Sequence, residues 1–593
     1  MLNHSKSQPH AWFKSRLFWL AAIPLLASAS FCATAFAQWK ISGTDVPQLA
    51  AFDSAMKTLM TAQGATSAQL AVTWQGRLVL GHGYSLNPAT QDTITEPDSL
   101  FRIASVSKPI TATLVHRLIQ DGKLTLNQKL GEFVDLTPAP GKAADPRLAR
   151  ITVRNLLEHL AGFDIDVLRF DPIGHDASIA SALGVALPIS KANIIKYMNG
   201  FALAHDPGTT FAYSNYGYLL LGRIIEKVSG LSYEKYTASV FNPIGMSTMR
   251  LARSLLQNRA PGEVFYHSKY ANPSVMDNSG AILPLAYGGG NNVENFDSSG
   301  GWVISAIDLV RWLSNLDRPT ASSAILNQAS IDRMFALPEN FMPPYASGSS
   351  YNAGGWSAQN YGGGSYNTWH AGAFGGTTSY VVRLKSGLTY AVVFNIRGEG
   401  SAGDFHGDID TAMSTVINQT SVWPSIDLFP TTVVEYYNRD LDAYFITGRA
   451  NEQIAVDGVA SFQRTGGTFQ ASPAAANVVG LTPICRYYIS LTNPYTSSHF
   501  YGPRDTDCAL IASAKPAGFS YDGLDFAVTL PVSGSCPAAA PFAIYRSFRA
   551  AAGGKTSNHR FSTSLARYNE MTAKGWSPEG IVFCAASGTG ATQ

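Results

Sequence analysis

One aromatic motif occurs three times near the C-terminus at a fixed interval. Phe462-x-x-x-Gly466-x-x-Phe469 is followed 57 residues on by Phe519-x-x-x-Gly523-x-x-Phe526, and after another 57 by Trp576-x-x-x-Gly580-x-x-Phe583. An upstream element repeats with it: Asp442-Ala443-Tyr444-Phe445, Ser498-His499-Phe500-Tyr501 and Asn558-His559-Arg560-Phe561. Tyr436-Tyr437 and Tyr487-Tyr488 open the first two copies, Tyr545 and Phe548 the third. A fixed period means that each copy is one supersecondary unit, burying its apolar face only against its neighbours. Three such units predict a small all-β domain over residues 433–588, closed with pseudo-threefold symmetry so that few strand edges are exposed. A β-trefoil is the leading expectation. Residues 421–432, which include two prolines, read as the linker into it.

Cys485, Cys508, Cys536 and Cys584 all fall in this repeat domain. An even number in an exported chain implies two disulfides. Of the three possible connectivities the sequence-local one, Cys485–Cys508 with Cys536–Cys584, is favoured. A metal site is disfavoured, because no Cys-x-x-Cys pair exists and His499 and His559 are not at ligand spacing.

Export is read from the N-terminus. Lys14 and Arg16 precede an apolar run from Leu17 to Phe31, and Ala35-Phe36-Ala37 places small residues around a cut before Gln38. This is a secretory signal pattern over residues 1–37. The run is too short for a comfortable membrane span, and bulky Phe31 before Cys32 argues against a lipoprotein. No later stretch reads as a membrane span, so the expectation is a secreted or periplasmic protein without a membrane span in the mature chain.

Lys and Arg number 43 against 41 Asp and Glu, a formal net charge of +2 over 593 residues. Neither a strongly basic nucleic-acid binder nor an acidic tail protein fits. Aromatic residues are 11% of the chain, which argues against extensive disorder.

Residues 45–420 have a different texture. Gln69–Tyr84 reads as a hairpin turning at Gln75-Gly76, and Ser379–Leu384 with Thr389–Asn395 as a second around Lys385-Ser386-Gly387. Ser105–Asp121 and Gly217–Ser229 carry helical periodicity. Gly262–Gly301, rich in Gly, Asn and Ser, reads as loop. Hairpins with helices predict an α+β domain: an antiparallel sheet flanked by helices, plus an all-helical part.

Three boxes in this region carry chemistry. Ser105-Val106-Ser107-Lys108 opens a helix, and an i, i+3 spacing puts the serine and the lysine side by side. A serine is a weak nucleophile until a neighbouring base takes its proton, and a buried lysine has a lowered pKa. Tyr213-Ser214-Asn215 supplies a phenol for proton transfer and an amide to hold a substrate amide or the lysine. Trp369-His370-Ala371-Gly372-Ala373 runs into Gly375-Gly376 and a strand, where glycine lets a partner approach the backbone closely. Weaker copies read as ordinary structure: Ser54 with Lys57 as a solvated helix face, Tyr270 with Asn272 as loop, Lys385-Ser386-Gly387 as a hairpin turn. His159 reads as a structural histidine. The Trp and Tyr residues from Tyr345 to Tyr366 read equally as cleft lining or as loop packing. Tyr436, Tyr437 and His499 read as core aromatics rather than a sugar platform.

Together, in this order, the three boxes resemble the serine β-lactamase and penicillin-binding-protein superfamily. Within it they are most similar to the class C β-lactamase-related hydrolases, which include esterases, D-aminopeptidases and DD-carboxypeptidases. Phe101–Leu126, Ile151–Gly162, Pro207–Tyr218, Leu220–Met246 and Gly300–Leu313 extend the resemblance over about residues 45–420. It implies a β-lactamase/transpeptidase-like fold, with Ser105 as the acylated nucleophile and Lys108 and Tyr213 sharing the general-base work. It further implies that Tyr213 activates water, that Asn215 orients substrate, and that the Ser105 and Ala373 amides form an oxyanion hole beside Gly372. His370 stands where β-lactamases usually carry a lysine. A neutral imidazole there shifts the expectation from anionic antibiotics toward esters or amides. The expected protein is an exported serine hydrolase without cofactor or metal, acting on a small ester or amide. The alternatives are a DD-carboxypeptidase, D-aminopeptidase or β-lactamase acting on peptidoglycan-derived substrates, and a catalytically silent binding protein. The repeat domain resembles modules appended to secreted bacterial proteins and is expected to bind glycan or cell surface.

Overall fold

The computed structural model describes residues 38–88, 94–246, 248–319, 324–338, 349–398, 404–474, 478, 480–492, 495–553 and 556–590. Residues 1–37, where a signal segment is expected and which include Cys32, and the aromatic Tyr345 lie outside the described residues.

The first half of the chain is built on one eight-stranded antiparallel sheet. Its strands are β1 (Trp39–Ser42), β2 (Ser67–Trp74), β3 (Arg77–Leu86), β4 (Ser350–Ala353), β5 (Trp356–Asn360), β6 (Tyr366–Phe374), β7 (Thr377–Arg383) and β8 (Leu388–Phe394). Their order is β1-β3-β2-β8-β7-β6-β5-β4. Both expected hairpins are present. β2 and β3 turn at Gln75 and Gly76, whose φ values of 51° and 74° suit a tight hairpin turn. β7 and β8 turn around Lys385-Ser386-Gly387, with Gly387 at φ 82°. The central strands are buried on both faces, and their residues alternate between two cores. Tyr390, Val392 and Phe394 of β8 join a core with Phe52, Met56 and Met413. Ala391 and Val393 join the larger core with Leu309 and Trp312.

Helices α1 (Ala50–Gln63) and α5 (His406–Gln419) cover the first face. Phe52, Met56, Leu59 and Met60 make the buried stripe of α1, and Gly64 at φ 71° ends it. The second face carries α2 (Ser107–Gln120), α3 (Asn215–Ser229) and α4 (Ala306–Leu316). On α3, Ser214 caps the N-terminus by accepting the Gly217 N–H at 3.1 Å, and Gly230 at φ 72° closes the C-terminus. Residues 262–301 are mostly irregular as expected, with short strands at Ala271–Pro273 and Ile282–Pro284.

Residues 421–430 lie along this first half. Trp423 stacks on Trp74 at 5.2 Å, the Leu428 N–H donates to the Leu78 carbonyl at 2.8 Å, and Arg311 donates to the Pro430 carbonyl at 3.1 Å.

The repeat region is dominated by β structure, and each copy also carries one short helix. The first copy is β9 (Thr431–Asn438), β10 (Ala443–Thr447), α6 (Ala450–Asp457) and β11 (Phe462–Pro473). The second is β12 (Thr482–Thr492), β13 (Tyr495–Pro503), α7 (Ala509–Ala514) and β14 (Phe519–Val528). The third is β15 (Phe542–Arg549), β16 (Asn558–Ser562), α8 (Leu565–Ala573) and β17 (Ser577–Ala585). A hairpin, a helix and a third strand per copy replace the trefoil expectation. The period of 57 residues is the spacing of the motif at the start of each third strand, at Phe462, Phe519 and Trp576.

Closure is present in another form. The third strands of the units meet: β11 pairs with β14, Thr529 bridges Cys584 of β17, and Gly588-Thr589 pairs back onto β11. The last aromatic of each motif sits where they converge. Phe469 lies 5.6 Å from Phe526, and Phe526 5.8 Å from Phe583, all buried in one core. The motif glycines Gly466, Gly523 and Gly580 all take positive φ, between 81° and 90°, which only glycine adopts without strain. Cys485–Cys508 and Cys536–Cys584 are bridged, the sequence-local pairing. Tyr436 is buried, whereas Tyr437 and His499 are half-buried, His499 packing against Phe445 at 4.8 Å.

Candidate active site

Ser105 sits on a strained turn between a short strand and α2. Phe101-Arg102 pairs with Val303-Ile304, and Ala104 then takes φ 45°, a left-handed conformation costly for a residue with a Cβ. The chain enters a turn of 3-10 helix at Ala104–Val106 before α2 begins at Ser107. Ser105 is therefore presented at the N-terminal end of α2, with Lys108 in its first turn.

Lys108 is fully buried, with its ammonium placed among three oxygens. Nζ lies 3.0 Å from Ser105 Oγ, 2.6 Å from Asn215 Oδ1 and 2.8 Å from the Ser299 carbonyl. Burial lowers its pKa to about 7, against the opposing pull of Asp171. Tyr213 donates its hydroxyl to Ser105 Oγ at 2.8 Å. Burial raises the Tyr213 pKa, so the phenol keeps its proton at neutral pH. Ser105, Lys108, Tyr213 and Asn215, drawn from two segments more than 100 residues apart, thus form one cluster.

Two further residues complete it. Asn215 gives its Nδ2 hydrogen to Asp171, so both ends of its amide are held, one by the lysine and one by the carboxylate. Burial raises the Asp171 pKa. His159 packs its ring 4.7 Å from that of Tyr213 and accepts the Ser214 N–H at Nδ1. It is neutral, because burial and nearby Lys108 disfavour its charge. His159 is buried, and its packing bears directly on Tyr213. No motif marks Asp171, which lies in a loop between Phe170 and Pro172.

The third box is on β6. Pairing with β5 runs only as far as Ser357 opposite Trp369, while β7 pairs with β6 through Phe374. The segment from His370 to Phe374 is thus a strand edge beside Ser105. A Cβ on Gly372 would lie 2.3 Å from the Ile103 carbonyl oxygen and 3.2 Å from the Ser105 nitrogen. Only glycine lets the strand come this close. Ser379 Oγ also donates to the Ile103 carbonyl, at 2.6 Å, tying the sheet to the turn. Ala373 follows Gly372 on the same edge, opposite Thr378. His370 donates Nδ1–H to the Ala371 carbonyl at 2.6 Å. Burial first, then Lys108, pushes its pKa down to about 3, so it is neutral and Nε2 is an acceptor.

A cleft of about 450 Å³ runs beside this edge, lined among others by Tyr213, Trp369, His370, Tyr380, His406 and Asp410. The competing copies are elsewhere. Lys385 is in the β7–β8 turn with its ammonium over the Tyr361 ring at 3.8 Å. Ser54 donates to the Ala50 carbonyl of its own helix, and Tyr270 is an exposed loop residue. Tyr351, Trp356 and Tyr366 are buried in the cores rather than lining the cleft.

A helix-borne serine and lysine, a tyrosine on the same hydroxyl and a glycine-containing strand edge define a class of serine-hydrolase fold. Residues 52–412 match the family model described as Beta-lactamase. The chain belongs to the beta-lactamase family, a serine-hydrolase family. Residues 432–586 match a second model, described as a domain of unknown function, DUF5648. A probable fimbrial assembly protein FimD of Dichelobacter nodosus is 39% identical over 144 residues, 24% of this chain and 33% of that protein. Penicillin-binding protein 4* of Bacillus subtilis is 28% identical over 219 residues, 35% of this chain and 45% of that protein. The matches span less than half the length of these relatives. The structure of D-amino acid amidase from Ochrobactrum anthropi SV3 with D-phenylalanine aligns at TM-score 0.45 and 23% identity, covering 63% of this chain and 100% of that one.

Proposed function

We propose that the protein is an exported serine hydrolase that forms an acyl-enzyme at Ser105 and releases it by hydrolysis, with esters or uncharged amides as substrates. The observation that carries this reading is the convergence of Lys108 Nζ and the Tyr213 hydroxyl on Ser105 Oγ, at 3.0 and 2.8 Å. Lys108, with a pKa of about 7, exists partly as the free amine at neutral pH and accepts the serine proton. Ser105 Oγ then bonds to the substrate carbonyl carbon, and the developing oxyanion faces the Ser105 and Ala373 amides. Tyr213 gives its proton to the leaving group as the carbonyl–leaving-group bond breaks, and the Lys108 ammonium restores it. A water entering in the leaving group's place passes its proton by the same two residues. Its oxygen bonds to the acyl carbon, the acyl–Oγ bond breaks, and Ser105 regains its hydrogen. Asn215 and Asp171 hold Lys108 in place.

Neutral His370 favours substrates without the carboxylate of a β-lactam. Action as a DD-carboxypeptidase, D-aminopeptidase or β-lactamase on peptidoglycan-derived substrates is the second reading, favoured by the likeness to penicillin-binding protein 4*. Export takes its support from the N-terminal signal pattern and the two disulfides. Among the described residues no helix is long and apolar enough to cross a membrane. In this reading the hydrolase occupies residues 45–420, a linker 421–432 and the repeat domain 433–588. The repeat domain has a glycan- or surface-binding role, tested by loss of cell-wall retention on deleting residues 433–593. The test of the activity is turnover of p-nitrophenyl butyrate and nitrocefin, with Ser105→Ala as control. Ester turnover that survives in Ser105→Ala refutes the assignment.

A further inference from the structure

The cleft has an unexpected charge for a family whose familiar substrates are anions. Tyr213 is one of its lining residues, and its hydroxyl lies 2.8 Å from Ser105 Oγ. It is lined as well by Trp369 and His370 of β6, Tyr380 of β7, and His406, Gly407 and Asp410 in the first turns of α5. Among the described residues that line it there is no Lys or Arg, and there is one carboxylate, Asp410. Asp410 is exposed on α5, and its Oδ1 accepts from the Tyr380 hydroxyl at 3.3 Å and the Tyr390 hydroxyl at 3.1 Å. Those two bonds fix the carboxylate in place and leave Oδ2 for a ligand.

The groups around it have the same preference. His370, which lines the cleft, spends its only N–H on the Ala371 carbonyl, so its other ring nitrogen is an acceptor. His406, one turn before Asp410, donates Nε2–H to the Gly372 carbonyl at 3.1 Å. Trp369 and Tyr380 add aromatic surface, which attracts cations by its ring quadrupole. A ligand carboxylate here would face Asp410 and the His370 lone pair, whereas an ammonium or N–H donor would be matched by both.

Which part of a substrate reaches this region follows from Tyr213. In the mechanism proposed above, that phenol protonates the leaving group, and it also lines the cleft. We propose that the cleft is a leaving-group subsite selective for a cation: the preferred substrate is an ester, thioester or amide whose leaving group ends in a protonated or quaternary amine. This rests on the acyl-serine reading and extends it to substrate class.

The test uses three matched butyryl thioesters of six-carbon thiols ending in trimethylammonium, hydroxyl or carboxylate. The freed thiol is measured with a chromogenic disulfide. For the full mature chain the expected order of kcat/KM is cation, then neutral, then anion. About fivefold between cation and neutral is the size of one partly solvated charge contact. In Asp410→Asn the cation-to-neutral ratio falls toward one, and Asp410→Glu restores part of it. Because Asp410→Asn also touches the tyrosines, a second measurement uses the wild type alone: tetramethylammonium should compete with the neutral thioester, and sodium at equal ionic strength should not. An equal or reversed order with measurable turnover overturns this inference and leaves the acyl-serine reading standing. No turnover of any thioester, with Ser105 unlabelled, overturns both.

Discussion

Replacing Lys108 with Met changes how stability depends on pH. The reason is that Lys108 is buried without a fully opposing charge, so its pKa falls from 10.5 in the open chain to about 7 in the fold. Below pH 7 both states carry the proton, and the folded state bears the full cost of a buried ammonium. Above 10.5 neither state carries it, and the cost is gone. Between these values the unfolded state holds one more proton than the folded state, so stability rises with pH by ~1.4 kcal/mol per pH unit. From about pH 7.5 to 9.5 the wild type should gain roughly 2.5 kcal/mol relative to Lys108→Met by this linkage. The bonds to Asn215 and Ser299 lost in the variant are a constant offset and do not affect the slope. Urea unfolding of both proteins at three pH values, with disulfides intact and m values compared, measures the effect. Parallel curves, differing by a constant over the range, would mean that Lys108 keeps its solution proton affinity in the fold. It would then be too fully protonated at neutral pH to serve as the base.

Three other outcomes follow from the same geometry. The acid limb of kcat/KM should lie near pH 7, where Lys108 loses its proton; Asp171→Asn removes the charge that supports the ammonium, so the limb should move to lower pH by on the order of one unit, and an unmoved limb would separate Asp171 from the lysine. His370→Lys should raise nitrocefin turnover relative to p-nitrophenyl butyrate by about tenfold, a desolvated charge pair being worth that much; an unchanged ratio would mean that residue 370 does not meet the substrate. Phe526→Ala, at the meeting point of the three repeat strands, should lower the stability of the repeat region by ~3–5 kcal/mol. Calorimetry should then show that region's transition lowered while ester turnover at 25 °C persists; one unshifted transition would contradict the threefold core.

The legible parts of the sequence were those in which local chemistry decides the geometry. Gln75-Gly76 and Ser386-Gly387 marked both hairpins because left-handed turns need such residues. Ser105 with Lys108 and Tyr213 with Asn215 were visible because helix starts place them. The repeat period gave the number of units and their closure, but not their helices. α7, Ala509–Ala514, buries none of its residues and so has no apolar periodicity to read. The trefoil expectation failed there: a 57-residue copy has room for a fourth strand or for a helix, and the sequence did not distinguish them. Asp171 was invisible for another reason. Its partner Asn215 is 44 residues away, and only the folded loop brings them together. The sequence places no partner beside His159, and only the fold shows that its ring packs against that of Tyr213, 4.7 Å away.

The central claim, a covalent acyl group on Ser105, is tested most directly by mass. The protein is mixed with p-nitrophenyl butyrate, quenched in acid within the first turnovers, and digested for peptide mapping. The account predicts one butyryl group on the peptide containing Ser105, absent after chase and absent in Ser105→Ala. A butyryl group found elsewhere, or turnover in the wild type with Ser105 never modified, would contradict it.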